Sequence, residues 1–387
     1  MCRGLAVAIT FLPFLFQITI CGYLDIDLFT FNPPPMKYSL IIPVFNRPDE
    51  VDELLGSLLH QKLKDFEVII VEDGSQTPCR DVCYRYASQL PLRYFMKENS
   101  GPGQSRNYGV ERATGDYVLI LDSDVVLPEG YLQAVDDELR REPCDAFGGP
   151  DRAADTFTPV QKAISYSMTS FFTTGGIRGG KKKLDKFYPR SFNMGIRREV
   201  YNKLNGFSKM RFGEDIDFSI RIIKSGFKTR LFPDAWVYHK RRTDFRKFWR
   251  QVFNSGIARI NLYKKYPDSL KLVHLLPAVF TVGVILLTLM FLGGLVGAFV
   301  MFQMGYGMEQ ALPLAISALS LAMLAFYAAV IFLDANCQTG NLWVAALSVR
   351  AAFTQLMGYG CGFIKAWWRR CVLGKDEFEA YKRNFYK

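Results

Sequence analysis

Histidine is nearly absent from this chain: His60, His239 and His274 are the three in 387 residues. The eight cysteines are scattered, with Cys79 and Cys83 as the one close pair and no second pair or histidine cluster to complete a zinc set. These shortages exclude a zinc-built module and offer no disulfide framework, so the thiols read as reduced and intracellular. Charge is missing locally. No Asp, Glu, Lys or Arg occurs from Leu275 to Phe302 or from Ala311 to Leu333. Each run exceeds the about 20 residues needed to cross a hydrocarbon core, so neither reads as a segment of a water-facing surface.

The link between the two runs, "QMGYGMEQ", has no Lys or Arg, whereas "HKRRTDFRKFWRQ", "YKKYPDSLK" and "KAWWRRCVLGK" flank the pair. Positive residues mark the cytoplasmic side. Residues 273–333 therefore read as a transmembrane hairpin with both ends inside. Leu342–Ile364 is apolar at helical spacing but carries Arg350, Thr354 and Gln355. Within 342–387 it is expected to form an amphipathic helix lying in the interface, with Trp367 and Trp368 at headgroup depth, ahead of a basic tail. Residues 1–35, with "LAVAITFLPFLFQITICGYL", form a hydrophobic segment expected to be an anchor or an upstream extension. Met36 is a sensible domain start.

What is present in the remainder is alternation of strand and helix. "YSLIIPVF" is a buried strand ending at Asn46-Arg47, and Pro48, Asp49 and Glu50 then open a helix. "FEVIIVEDGS" is a second strand ending at Asp73, "LRYFMK" a weaker third, and "GQSRNYGVERATG" a helix. Tyr117–Leu121 is an unbroken apolar strand that runs straight into Asp122-Ser123-Asp124. Continuous apolar strands between helices imply a mainly parallel sheet with helices on both faces. Ligands then bind beyond the carboxyl ends of the strands, which puts Asn46, Asp73, Asp122 and Asp124 on one rim. Two adjacent carboxylates repel unless something neutralises them, and oxygen ligands favour Mg²⁺ or Mn²⁺. "GPGQSR" carries Arg106 where a dinucleotide fingerprint has its third glycine, so an NAD enzyme is discounted. The net charge of +11 suits an anionic partner, but no nucleic-acid recognition motif is visible.

Four ordered stretches, "SLIIPVFNRP", "EVIIVEDGS", "GPGQSRNYGVERATGDYVLILDSDV" and "RFGEDIDFSIRIIKSGF", resemble family 2 glycosyltransferases over roughly residues 37–260. The resemblance implies a Rossmann-like GT-A domain over 36–265, with a nucleotide-binding half (36–125) and an acceptor half (126–265). It implies that Pro43, Val44, Asn46 and Arg47 border the nucleobase and that Asp73 accepts from it. Arg106 would help hold the nucleotide, Asp122 and Ser123 would contact ribose or sugar, and Asp124 would reach the metal. It makes Asp215 the catalytic base with Glu214 beside it, and sets His239 near the metal or diphosphate. Asn193 becomes a sugar contact, and Gln251 lies over the donor. The sequence departs from the Q-x-x-R-W pattern of processive synthases at Asn254-Ser255, which favours single transfers. The four glycines ahead of the three consecutive lysines of "TTGGIRGGKKKLDKFYPRSFNMGIRREV" predict a mobile basic loop.

The expectation is an inverting, metal-dependent enzyme of bacterial surface-polysaccharide assembly, at the inner membrane with its catalytic domain in the cytosol. Its partners would be a nucleotide-sugar, preferably a UDP-sugar, a lipid-linked or saccharide acceptor, and membrane lipids, without nucleic acid. Transfer onto polyprenyl phosphate and a silent nucleotide-sugar-binding scaffold stay open as alternatives.

Overall fold

The computed structural model describes residues 36–152, 154, 156–175, 187–210, 212–306 and 311–376. The hydrophobic N-terminal segment, the basic loop at 176–186 and the end of the basic tail lie outside the described residues. The alternation expected from sequence is present: β1 (Tyr38–Val44), α1 (Pro48–Leu59), β2 (Phe66–Asp73), α2 (Arg80–Tyr86), β3 (Leu92–Lys97), α3 (Pro102–Val110) and β4 (Tyr117–Leu121). Pro48 sits in the first turn of α1 with Asp49 and Glu50 beside it, where a missing N–H costs nothing and acids meet the positive helix end.

The second half adds β5 (Val125–Val126), α4 (Tyr131–Arg141), β6 (Ala146–Gly148), β7 (Asp151–Arg152), α5 (Pro159–Thr169) and α6 (Phe171–Thr174). It continues with β8 (Asn193–Arg197), α7 (Arg198–Lys203), α8 (Glu214–Lys224), β9 (Thr229–Leu231), β10 (Val237–His239) and α9 (Phe245–Lys265). The main sheet runs β3-β2-β1-β4-β8-β6-β9. Only β8 opposes its neighbours, so four of the six pairings are parallel and two antiparallel. Alternating residues of one strand feed two cores. Leu40 and Ile42 pack with Leu54, Leu58 and Leu132, whereas Ile41 packs with Val110, Phe218 and Ile222. Helices thus cover both faces, and the carboxyl ends of β1, β2 and β4 share one edge.

Three long helices follow: α10 (Leu276–Gln303), α11 (Ala311–Thr339) and α12 (Leu342–Trp367). Among the described residues, Leu272–Gln303 and Ala311–Thr339 are long and apolar enough to cross a membrane, and both are mostly exposed. α12 takes up the helix expected after the two apolar runs. Its small and apolar residues, including Ala345, Ala351, Ala352, Leu356 and Phe363, are buried, and it packs on α5 and α9 as well as on α10 and α11. Trp367 and Trp368 remain exposed at its end.

Candidate functional site

The strand tips carry the acids. β4 is buried along its whole length, which makes it a rigid mount for Asp122, Ser123 and Asp124. A second, small sheet supplies the histidine: β10 pairs antiparallel with β5, setting His239 opposite Val125, and Lys240 N–H donates to the Asp124 carbonyl at 3.0 Å. Donor atoms of Asp122, Asp124 and His239 come within 4.8 Å of one another, inside the reach of a single cation. Phe192 stacks on the His239 ring at 4.9 Å and fixes its plane.

The fit to a divalent ion is tested by what the buried atoms lack. Asp124 Oδ1 is buried, lies 3.3 Å from His239 Nε2, and has no hydrogen-bond partner among the described residues. Its other oxygen meets Arg47 Nη1 at 2.5 Å. Burial works to raise the Asp124 carboxyl, but His239, Arg47 and Arg242 overcome it and hold the group well below the usual carboxylate range. An ionised oxygen with no donor beside a histidine nitrogen suits a hard cation, and Asp122, Asp124 and His239 are the residues that would hold it.

Arg106 works from inside. It is 3 % exposed, and its planar fork gives Nη2 to Asp122 Oδ1 at 2.8 Å and Nη1 to Glu214 Oε1 at 3.0 Å, with Phe207 5.1 Å from the guanidinium. That leaves it holding the two acid clusters together rather than presenting its charge to a nucleotide. Glu214, first residue of α8, is buried and pushed up to about 7, because loss of water outweighs the pull of Arg106 and the Asp215 charge adds to the rise. Asp215 is partly exposed; Oδ1 accepts from Ile216 N–H and Oδ2 lies 2.8 Å from Arg190 Nε. Asp217, third in that acidic run, is fully buried among Arg221, Lys265, Ser208 and Tyr266 and ties α8 to the end of α9.

The nucleotide-side residues fall as follows. Pro43 and Val44 close β1, and the Val44 side chain packs in the core beneath α1. Asn46 is exposed with φ 54°, and its Oδ1 accepts from Gln76 and Thr77 N–H at 2.8 and 3.0 Å, joining the loops after β1 and β2. Asp73 is buried. It accepts from Ser100 and Gly101 N–H at 2.9 Å each and from Lys97, its register partner on β3. Gln251 lies on α9 and accepts from Arg242 Nε at 3.3 Å. Asn193 opens β8 opposite Leu121, at the rim end of β4, but is fully buried: its amide oxygen accepts from Tyr131 and its nitrogen donates to the Ala235 carbonyl. Each end of that amide makes one internal hydrogen bond, which holds the side chain between α4 and the segment before β10. Arg190 and Arg242 carry no signal in the sequence, because Arg190 is a lone loop arginine and Arg242 is submerged in the basic run Lys240-Arg241-Arg242.

Known proteins resemble this arrangement over part of the chain. The glycosyl transferase family 2 profile matches residues 39–204. The chain is 27% identical to a pre-mycofactocin glycosyltransferase of Mycobacterium tuberculosis over 83% of its own length and 65% of that protein's. It is 25% identical to the minor teichoic acid biosynthesis protein GgaB of Bacillus subtilis over 54% of its own length and 23% of that protein's. The chain therefore spans less than two thirds of each of these curated relatives. A solved mannosyltransferase, PcManGT from Pyrobaculum calidifontis in complex with GDP-Man and Mn²⁺, is 18% identical, with a TM-score of 0.52 over 87% of this chain and 88% of that one. That likeness shows a shared GT-A-type fold, and the profile shows that residues 39–204 are similar to glycosyl transferase family 2.

Proposed function

We propose that this protein transfers a sugar, with inversion, from a nucleotide-sugar to a lipid-linked saccharide in surface-polysaccharide synthesis, in a metal-dependent reaction at the cytosolic face of the bacterial inner membrane. The observation that carries the reading is the buried, unpartnered Asp124 Oδ1 set beside His239 at the tip of β4. A Mg²⁺ or Mn²⁺ ion held by Asp122, Asp124 and His239 would supply charge neutralisation to a departing diphosphate. The Mn²⁺ and GDP-Man bound by the Pyrobaculum calidifontis mannosyltransferase support both the ion and the donor class; a UDP-sugar remains the favoured donor on the Asp73 motif.

The chain's own residues divide the remaining work. Asp215, at the positive end of α8, takes the proton from the acceptor hydroxyl, and its carboxylate is oriented by Ile216 N–H and Arg190. Glu214 and Asp122 are locked to each other through Arg106, so the base helix and the donor tip hold one relative position. The two apolar helices keep the site beside the bilayer, where a lipid-linked acceptor is found.

Calorimetric titration of the purified full chain with UDP- and GDP-sugars, with and without Mn²⁺, tests the reading. Asp124→Asn is expected to lose the Mn²⁺-dependent part of donor binding. Asp215→Asn is expected to keep it while transfer falls by about 10²–10⁴-fold, the usual worth of general-base help. Unchanged Mn²⁺-dependent binding in Asp124→Asn would overturn the site.

A further inference from the structure

The polypeptide from Ala163 to Gly175 contains no charged residue and forms the corner between α5 and α6. At its apex Phe171 is 68 % and Phe172 45 % exposed, packed edge to face at 5.8 Å. An uncovered pair of phenylalanines on a catalytic domain asks for a partner. Its position along α11 identifies one. Tyr166 Oη–H and Ser170 Oγ–H both donate to Asp334, the first charged residue of α11, while Tyr327 Oη–H donates to the Phe172 carbonyl at 3.2 Å. Tyr327 lies seven residues before Asp334, about 10 Å further along the helix at 1.5 Å per residue, inside the uncharged run. On its other side the corner reaches the turn just before α10, where a Cβ on Gly175 would come 3.1 Å from Val273.

A segment at that depth must satisfy its own polar groups, and most of those in this one are paired within it. Ser167 Oγ–H donates to the Ile164 carbonyl, Thr169 Oγ1–H to Ser165, and Thr173 and Thr174 Oγ1–H to Ser170, at 2.8–3.1 Å. Backbone N–H groups of Thr174 and Gly175 return to Ser170 and Phe171, and Phe172 N–H donates to Ser170 Oγ at 3.3 Å. A water-facing turn has no need for such closure, whereas hydrocarbon demands it.

We propose that the α5–α6 corner is a wedge of the catalytic domain, led by Phe171 and Phe172, that sits in the acyl chains of the bilayer crossed by α10 and α11. The inference rests on the membrane reading of those two helices. The full chain in phosphatidylcholine nanodiscs, carrying Phe171→Trp or Phe172→Trp in turn, provides the test. The added emission over the parent protein is read with acyl-chain-brominated phosphatidylcholine and with aqueous iodide. Leu319→Trp on α11 and Tyr84→Trp on α2, both at exposed positions, serve as lipid and water references. Bromine is expected to quench the added emission at 171 and 172 at least about half as strongly as at 319, with iodide ineffective. Quenching by iodide alone overturns the wedge, and so does protection from both quenchers, which would mean a protein cover such as a second copy. Failure of bromine at 319 would sink the hairpin itself, a result distinct from bromine at 319 with iodide at 171.

Discussion

Glu214 is pressed from two sides: burial disfavours its charge, Arg106 favours it, and burial wins. The sign of the consequence follows. The carboxyl binds its proton more tightly folded than unfolded, so its contribution is best below the ordinary glutamate range and is lost as pH rises towards about 7. Glu214→Gln fixes the neutral form. Raising the pH from about 5 to about 8 is therefore expected to move the melting temperature of Glu214→Gln upward relative to the parent. No relative shift across that range would mean that Arg106 holds the group ionised throughout. At this scale the sequence reads well where a buried strand delivers a polar residue, as β2 and β4 deliver Asp73 and Asp122. It reads poorly where a side chain serves another side chain. Nothing in "GPGQSRN" states that Arg106 faces inward to Glu214, and nothing in "FNMGIRR" states that Tyr131 and Ala235 bind the Asn193 amide.

Among the elements, α12 is where pattern and packing part. The spacing of its apolar residues defines a buried stripe, but spacing is the same whether lipid or protein covers the stripe. Small residues decide. A Cβ on Gly256 of α9 would lie 2.1 Å from the Tyr359 carbonyl oxygen, and one on Gly362 would lie 2.0 Å from the Phe253 carbonyl oxygen. Both obstacles are backbone, so neither rotamer change nor a flexible tip relieves them. The two helices touch at their main chains, which is why α12 belongs to the catalytic domain's packing. Gly256→Ala is expected to force the helices apart and cost about 1–3 kcal/mol. Gly283→Ala, on α10 with nothing within 4 Å of the new methyl, is expected to be neutral or mildly stabilising. Thermal unfolding of the two variants in the same detergent compares them directly. Equal midpoints would show that α9 and α12 separate without penalty.

For the whole molecule the question is where the soluble part ends. Composition places that end near residue 265, after α9, because charge density falls away there and the apolar runs begin. Composition records the order of the chain, not what lies against what. In the folded protein α12 returns from beyond both apolar helices to cover Phe248 and Val252 of α9 and Ala163 and Ile164 of α5, while Phe363 and Ala366 cover Ile257 and Ile260. Cutting after Lys265 would return all of these to water. At about 1.5–3 kcal/mol for each large apolar side chain, an upper bound, the loss becomes comparable with the roughly 5–15 kcal/mol that holds a domain folded. A fragment of residues 36–265 is therefore expected to aggregate or to elute in the void volume on gel filtration, while the full chain in detergent elutes as one species. A monodisperse 36–265 fragment with an unchanged melting temperature would show that α9 and α5 need no cover, and that α12 is held to the catalytic domain only by being next to it.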